Sequence, residues 1–141
     1  CEASKETAER EHQFILHNAE EIMQSLGLPY RVALACAGEI GLGQVKKHEI
    51  ETWMPSRNAY SETHSCSTLN DFQARRLKIR YRDSSGKLQY VYTLNNTAIA
   101  VPRLLIPLLE NNQLSDGSVK IPSVLTPYLN GLKLLTPKPI P

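Results

Sequence analysis

Arg103 stands where a strand-like run gives way to a helix-like one. Between Tyr92 and Thr97 the sequence alternates with period two, so Thr93, Asn95 and Thr97 share one face and Tyr92, Leu94 and Asn96 the other. Beyond it, Ala98, Val101, Leu105, Leu108 and Leu109 recur at helical spacing, and Pro102 falls in the first turn, where its missing N–H costs least. A helix N-terminus offers unpaired N–H groups and a positive dipole end. An arginine placed there strengthens a potential site for phosphate or carboxylate. The residues leave a second reading open: a strand, a packed helix and an arginine turned to water.

A second concentration of polar groups lies in the strand expected from Ala59 to about Ser67, which contains Glu62, His64, Ser65, Cys66 and Ser67. Glu62 and Ser65 are three apart, so a regular strand points them to opposite faces, and a shared site requires a bulge or a strand end between them. The closeness of Glu62, His64 and Ser65 in sequence argues against a hydrolytic triad, whose members are usually brought together from distant segments. No nucleophile elbow is present. In the preceding strand, His48 to Met54, His48, Ile50 and Thr52 face one way and Glu49, Glu51 and Trp53 the other. The two acids could hold a divalent ion, but pairing with Lys46, Lys47 or Arg57 is the commoner arrangement. His12 and His17 are five apart, off the i, i+4 spacing of a helical metal pair, and are expected at the surface. Cys1, Cys36 and Cys66 contain no CxxC pair, which suits reduced thiols in a cytosolic protein and makes zinc an unpromising ligand.

The elements that must position these groups follow from pattern. Residues 2–26 form an amphipathic helix with Ser4 as a cap, an apolar stripe of Phe14, Ile15, Ala19, Ile22, Met23 and Leu26, and Gly27 as its stop. A buried strand runs from Tyr30 to Ala37 and a turn from Gly38 to Gly43. Asn70–Arg76 is a capped helical turn. Leu77–Arg82 and Leu88–Asn95 pair as a hairpin across Asp83-Ser84-Ser85-Gly86-Lys87, with Lys78, Arg80 and Arg82 on a face that meets either solvent or a polyanion. The second helix ends near Asn112, Asp116-Gly117 turns, and Ile121–Leu129 closes the unit. Connections between strands are mostly too short for parallel crossovers, which predicts an α+β domain with a mainly antiparallel sheet flanked by helices. With 141 residues, 41% hydrophobic and a net charge of +2, the chain fits one globular domain and shows no overall polyanion footprint. No signal peptide or membrane-length apolar run is present. Residues 1–131 are assigned to the domain and 132–141 to an extended tail, expected to be poorly ordered from Thr136.

Leu26-Gly-Leu-Pro-Tyr-Arg-Val32, Cys36-Ala-Gly-Glu-Ile-Gly41, Glu49-Ile-Glu-Thr-Trp-Met-Pro55, Tyr60-Ser-Glu-Thr-His-Ser-Cys-Ser67, Asp71-Phe-Gln-Ala-Arg-Arg76 and Thr93-Leu-Asn-Asn-Thr97 through Pro102-Arg103 occur in this order. Together they resemble the second half of a seryl-tRNA synthetase catalytic domain, over roughly residues 14 to 131, and the Thr93–Arg103 block resembles the third class II motif. The resemblance implies a class II fold that binds ATP, Mg²⁺ and serine, and a two-step reaction through seryl-adenylate to seryl-tRNA. It implies that Arg103 holds the ATP γ-phosphate, that Glu62 and Ser65 position ATP and its metal, and that Asn95 and Thr97 line the serine pocket. It further implies a cytoplasmic, homodimeric parent with no membrane association, whose N-terminal arm binds tRNA(Ser). His64 departs from the serine usual there, and Glu39 and Glu49 stand where aspartate is common. The arm and motifs 1 and 2 are expected before residue 1. Because the chain starts at Cys1 without methionine, a piece of a longer synthetase is expected, inactive alone. The alternative is a stand-alone remnant that binds nucleotide or a partner without ligase activity.

Overall fold

A computed structural model describes residues 1–138. In chain order the elements are α1 (Lys5–Ser25), β1 (Tyr30–Leu34), β2 (Lys46–Met54), β3 (Ala59–Asn70), α2 (Phe72–Leu77), β4 (Arg80–Arg82), β5 (Leu88–Tyr90), β6 (Thr93–Asn96), α3 (Val101–Asn112), β7 (Val119–Lys120), a 3₁₀ segment Ser123–Leu129, and β8 (Leu134–Leu135). One antiparallel sheet, ordered β1-β2-β3-β6, carries the domain, and β4–β5 and β7–β8 form two small separate ladders. The α+β, antiparallel expectation holds.

Local chemistry sets the ends of α1. Ser4 is extended and its hydroxyl accepts the Thr7 N–H at 3.2 Å, while Gly27, at φ 67, turns the chain away after Leu26. The buried stripe is Ala8, His12, Leu16, Ala19 and Met23, continued by Leu26. Phe14, expected in it, is 60% exposed. At about 100° per residue, position 14 is turned some 200° from Leu16 and so faces solvent. Against this stripe the sheet places Ile50 and Cys66, with Leu28 and, from α3, Leu104 completing the core.

The hairpin and the second helix depart from the sequence pattern. Leu77 ends α2, and Lys78 takes the left-handed conformation that closes it, so neither belongs to β4. Val91 and Tyr92 leave the ladder, freeing Thr93 to join β3 in the main sheet. Helix α3 starts at Val101, not at Ala98, and buries Leu104 and Pro107, with Val101, Leu105 and Leu109 exposed. After β7 the chain returns so that Leu134–Leu135 pairs with Val119–Lys120. The end of the tail, residues 139–141, lies outside the described residues.

His12 corrects the surface expectation most sharply. It is fully buried, because both ring nitrogens find partners on the sheet: Nδ1 lies 2.8 Å from Thr68 Oγ1 and Nε2 2.8 Å from His48 Nδ1. Burial, then the neighbouring His48 and Lys46, push its pKa down to about 4, against a smaller opposing influence of Glu9. Burial likewise lowers His48. His17 does lie at the surface, beside Glu21.

Two outcomes follow. Both histidines are held below the ordinary value of 6.5, so the unfolded chain binds more protons and stability falls as pH drops from about 6.5 toward 4. Urea denaturation at pH 7.5 and pH 5 is expected to show a loss of about 2 kcal/mol from His12 alone. A flat profile across that window contradicts the buried pair. Second, Gly43 sits at φ +89, and a Cβ there collides with the Phe72 ring. Gly43→Ala is expected to cost about 1–3 kcal/mol, whereas Gly38→Ala, with open space around it, changes stability by less than about 0.5 kcal/mol in the same assay.

Candidate functional site

The site rests on one irregularity in β3. Pairing with β2 runs Glu49 to Ser65 and Ile50 to His64, then jumps to Glu51 opposite Glu62, leaving Thr63 unopposed. This is a bulge, and it supplies the extra residue needed to bring Glu62 and Ser65 to one face. Thr63 turns inward and is held there: its Oγ1 lies 2.7 Å from Thr52 Oγ1, donates to the Ile50 carbonyl at 3.1 Å, and lies 2.9 Å from His64 Nδ1. Thr52, Thr63 and His64 are all buried, so the kink is held by hydrogen bonds in the core, with only His64 Nε2 of this group left without a partner among the described residues.

On the other side of β3, β6 aligns Asn96 with Cys66 and Asn95 with Ser67. Asn96 faces α1, where its amide donates to the Ile15 carbonyl. Alternation therefore turns Asn95 and Thr97 to the opposite, polar face, and the Thr97 N–H donates to the Ser65 carbonyl at 3.4 Å. Pro102 lies in the first turn of α3, as its fixed φ favours, and Arg103 follows in that turn.

Glu62, Ser65, Thr97 and Arg103 meet around a cavity of about 410 Å³, joined by Thr63, His64, Ala100 and Pro102. Arg103 Nη1 lies 3.3 Å from Glu62 Oε2, with side chains 57% and 34% exposed. Such a pair contributes at most about 1 kcal/mol to stability. Asn95 is exposed two residues away and does not line this cavity. Sequence reasoning did not find that His64 and Thr63 line the cavity; their place depends on the bulge, for which the local pattern carries no direct mark. His64 Nε2 has no hydrogen-bond partner among the described residues, and burial lowers the ring's pKa, so the imidazole is neutral near pH 7. A slightly larger cavity, about 430 Å³, lies between Leu26, Val101, Leu105 and Tyr128, but its wall is almost wholly apolar and offers no group for chemistry.

The acids of β2 take the ordinary role. Glu49 pairs with Lys47 and Glu51 with Arg31. The hydrogen bond to Glu49 raises the Lys47 pKa. Cys66 is buried, with its thiol pushed up to about 11 by desolvation, and all three cysteines are free. Among the described residues no cluster of three His, Cys, Asp or Glu side chains is placed to hold a metal, and no helix is long and apolar enough to cross a membrane. The cavity thus offers one guanidinium near a helix N-terminus, one carboxylate and three hydroxyls, of which Thr63's is already bonded into the core, with a buried, unpartnered imidazole nitrogen behind them. That donor set suits a phosphate-bearing ligand accompanied by a hard cation that keeps most of its other ligands as water and phosphate oxygen.

Comparison with known proteins identifies relatives of the fold. The family model for the tRNA synthetase class II core domain (G, H, P, S and T) matches residues 1–112. A serine–tRNA ligase of Deinococcus radiodurans is 53% identical over 135 residues, covering 96% of this chain and 32% of that protein. The crystal structure of seryl-tRNA synthetase from Pyrococcus horikoshii complexed with ATP superposes with a TM-score of 0.90 at 46% identity, over 95% of this chain and 30% of that one. The cytoplasmic serine–tRNA ligase of Naegleria fowleri in complex with AMP gives 0.89 at 34% identity, over 98% and 29%. The chain spans about a third of the length of the relatives it matches.

Proposed function

The chain belongs to the class II tRNA synthetase core family, and from that premise we propose that it supplies part of the catalytic domain, over residues 1–131, of a serine–tRNA ligase. The carrying observation is that the β3 bulge gathers Glu62, Ser65, Thr97 and Arg103 at one cavity beside the N-terminus of α3. In this reading Arg103 binds the terminal phosphate of ATP, and Glu62 and Ser65 orient the nucleotide. Glu62 and Ser65 are also the residues that would hold Mg²⁺, which neutralises phosphate charge when bound. Thr97, one residue past β6 at the cavity, and Asn95, two residues before it, would present a hydroxyl and an amide to the hydroxyl of serine. The protein's task in such chemistry is positioning and charge stabilisation, and these residue types perform both. Neutral His64 adds an imidazole to the cavity wall without adding charge. The parent is proposed to act in the cytoplasm as a homodimer and to receive tRNA(Ser) through an arm beyond this chain. Residues 132–141 are proposed as its tail.

Exchange of pyrophosphate into ATP by the full-length parent is expected to depend on serine in preference to threonine or alanine; preference for another amino acid removes the assignment. Arg103→Ala in the parent is expected to lower that exchange by roughly 10²–10³-fold. Because its pair with Glu62 is half exposed, the same substitution should leave thermal stability within about 1 kcal/mol. Wild-type exchange would make Arg103 an ordinary surface residue. The chain alone is expected not to form seryl-adenylate under saturating ATP, Mg²⁺ and serine. The α-phosphate clamp and the acid that reads the serine amine are assigned to the two thirds of the relatives that it does not cover. Loss of such positioning forfeits on the order of 7–11 kcal/mol of barrier reduction. Single-turnover adenylate formation by the isolated chain overturns this division of labour.

A further inference from the structure

Six of the chain's 16 lysines and arginines fall between Arg75 and Lys87, with one acid, Asp83, among them. Residues 72–90 therefore carry +5 and the remainder −3, although the whole chain is only +2. The fold concentrates this charge on the outside. Arg80 pairs across the ladder with Tyr90 and Arg82 with Leu88, so these four share one face of the β4–β5 hairpin. The other face carries Tyr81, whose hydroxyl accepts the Ala3 N–H at 3.1 Å and so is turned to the rest of the chain. The arginine face is the outer one: Arg80 and Arg82 are exposed, and Leu88 and Tyr90 remain 46% and 37% exposed.

Accounting for partners isolates three cations. Arg75 pairs with Asp71 at 3.4 Å, Arg76 lies over the Phe72 ring at 3.5 Å, and Arg82 donates to the Gly86 carbonyl. Lys78, Arg80 and Lys87 make no ion pair and no side-chain hydrogen bond among the described residues. Clustered like charge repels itself unless a counter-charge arrives. An exposed aromatic ring opposite Arg80 in the ladder matches a polyanion that also has planar apolar faces. We infer that the outer face of the β4–β5 hairpin, with the end of α2, is an RNA-binding surface, its cations on backbone phosphates and Tyr90 against a base or ribose. The chain passes from Tyr90 into β6 within three residues, and β6 is four residues long. At about 3.3 Å per residue β6 itself spans roughly 13 Å, and it is the one strand between the end of the hairpin and Thr97 at the Arg103 cavity. RNA whose end enters that cavity has phosphates within reach of the hairpin, a step that rests on the proposed function. The binding surface itself does not.

The test uses the chain as it exists and a fluorescent stem-loop RNA with a single-stranded 3′ end, titrated by anisotropy at several salt concentrations. The combined variant Lys78→Gln, Arg80→Gln, Lys87→Gln is expected to bind at least tenfold more weakly near 100 mM salt, with a slope of log K against log salt shallower by about 3. A control removing three cations elsewhere, Arg10→Gln, Lys120→Gln, Lys133→Gln, has the same net charge and should bind like the parent sequence. Arg80→Gln and Lys87→Gln alone should each flatten the slope by about 1, which keeps the test available if the combined variant fails to fold. Tyr90→Ala should weaken binding severalfold with the slope unchanged. Equal loss in the two triple variants, or no loss in the hairpin variant, overturns the inference. Serine-dependent exchange by the full-length parent is read separately, so its absence removes the enzymatic reading while leaving the RNA result to stand or fall by itself.

Discussion

One extra residue in β3 governs the arrangement of this molecule's polar face. A sheet strand has a period of two, and any two residues an odd number of positions apart are driven to opposite sides. Glu62 and Ser65 escape that rule because Thr63 drops out of the ladder opposite Ile50 and Glu51. A bulge leaves backbone groups less well paired, so it persists only where something holds it. Here the hydroxyls of Thr52 and Thr63, the Ile50 carbonyl and the His64 ring form a buried hydrogen-bonded group that does so. The irregularity and the site are the same feature seen from two faces of the sheet.

The opposite face has its own polar fastening. Helix α1 meets the sheet through an apolar stripe, but the stripe is interrupted by His12, whose two nitrogens reach Thr68 on β3 and His48 on β2. Apolar packing alone tolerates sliding of a helix over a sheet, whereas two hydrogen bonds at 2.8 Å to different strands admit one register. Since α1 also accepts the Asn96 amide at the Ile15 carbonyl, it fixes the rotation of β6, and through alternation the direction of Asn95 and Thr97. The helix carries none of the candidate residues, yet it aims two of them.

Legibility from sequence followed the range of the interactions. The Ser4 cap, the Gly27 stop, the alternation of β2 and β6, Pro102 in the first turn of α3 and the antiparallel class are local effects, and each reads directly from a few neighbouring residues. The need for a bulge between Glu62 and Ser65 was also legible, as a condition. Where the extra residue falls was not, because that depends on which side chain β2 and the core can satisfy. His12 was misplaced for the same reason: spacing within α1 says nothing about a histidine and a threonine on two distant strands. The long second arm of the hairpin failed at Val91–Tyr92, where continuation in one ladder competes with joining the main sheet beside β3, a choice made by tertiary pairing.

The half-exposed pair of Arg103 with Glu62 suits the role proposed for it. Were the Arg103–Glu62 pair buried, each ion would carry a desolvation penalty of several kcal/mol, and separating them for a ligand would strand a charge. At 57% and 34% exposure, water screens both groups and their attraction is small. Under the proposed function, the guanidinium would exchange Glu62 for an anion at little cost, leaving the carboxylate beside Ser65 at the same cavity. A buried ion pair would have closed the cavity to ligand with no assured gain in stability. The weak one leaves stability to the apolar core and its buried hydrogen bonds, and leaves the charge available at the surface.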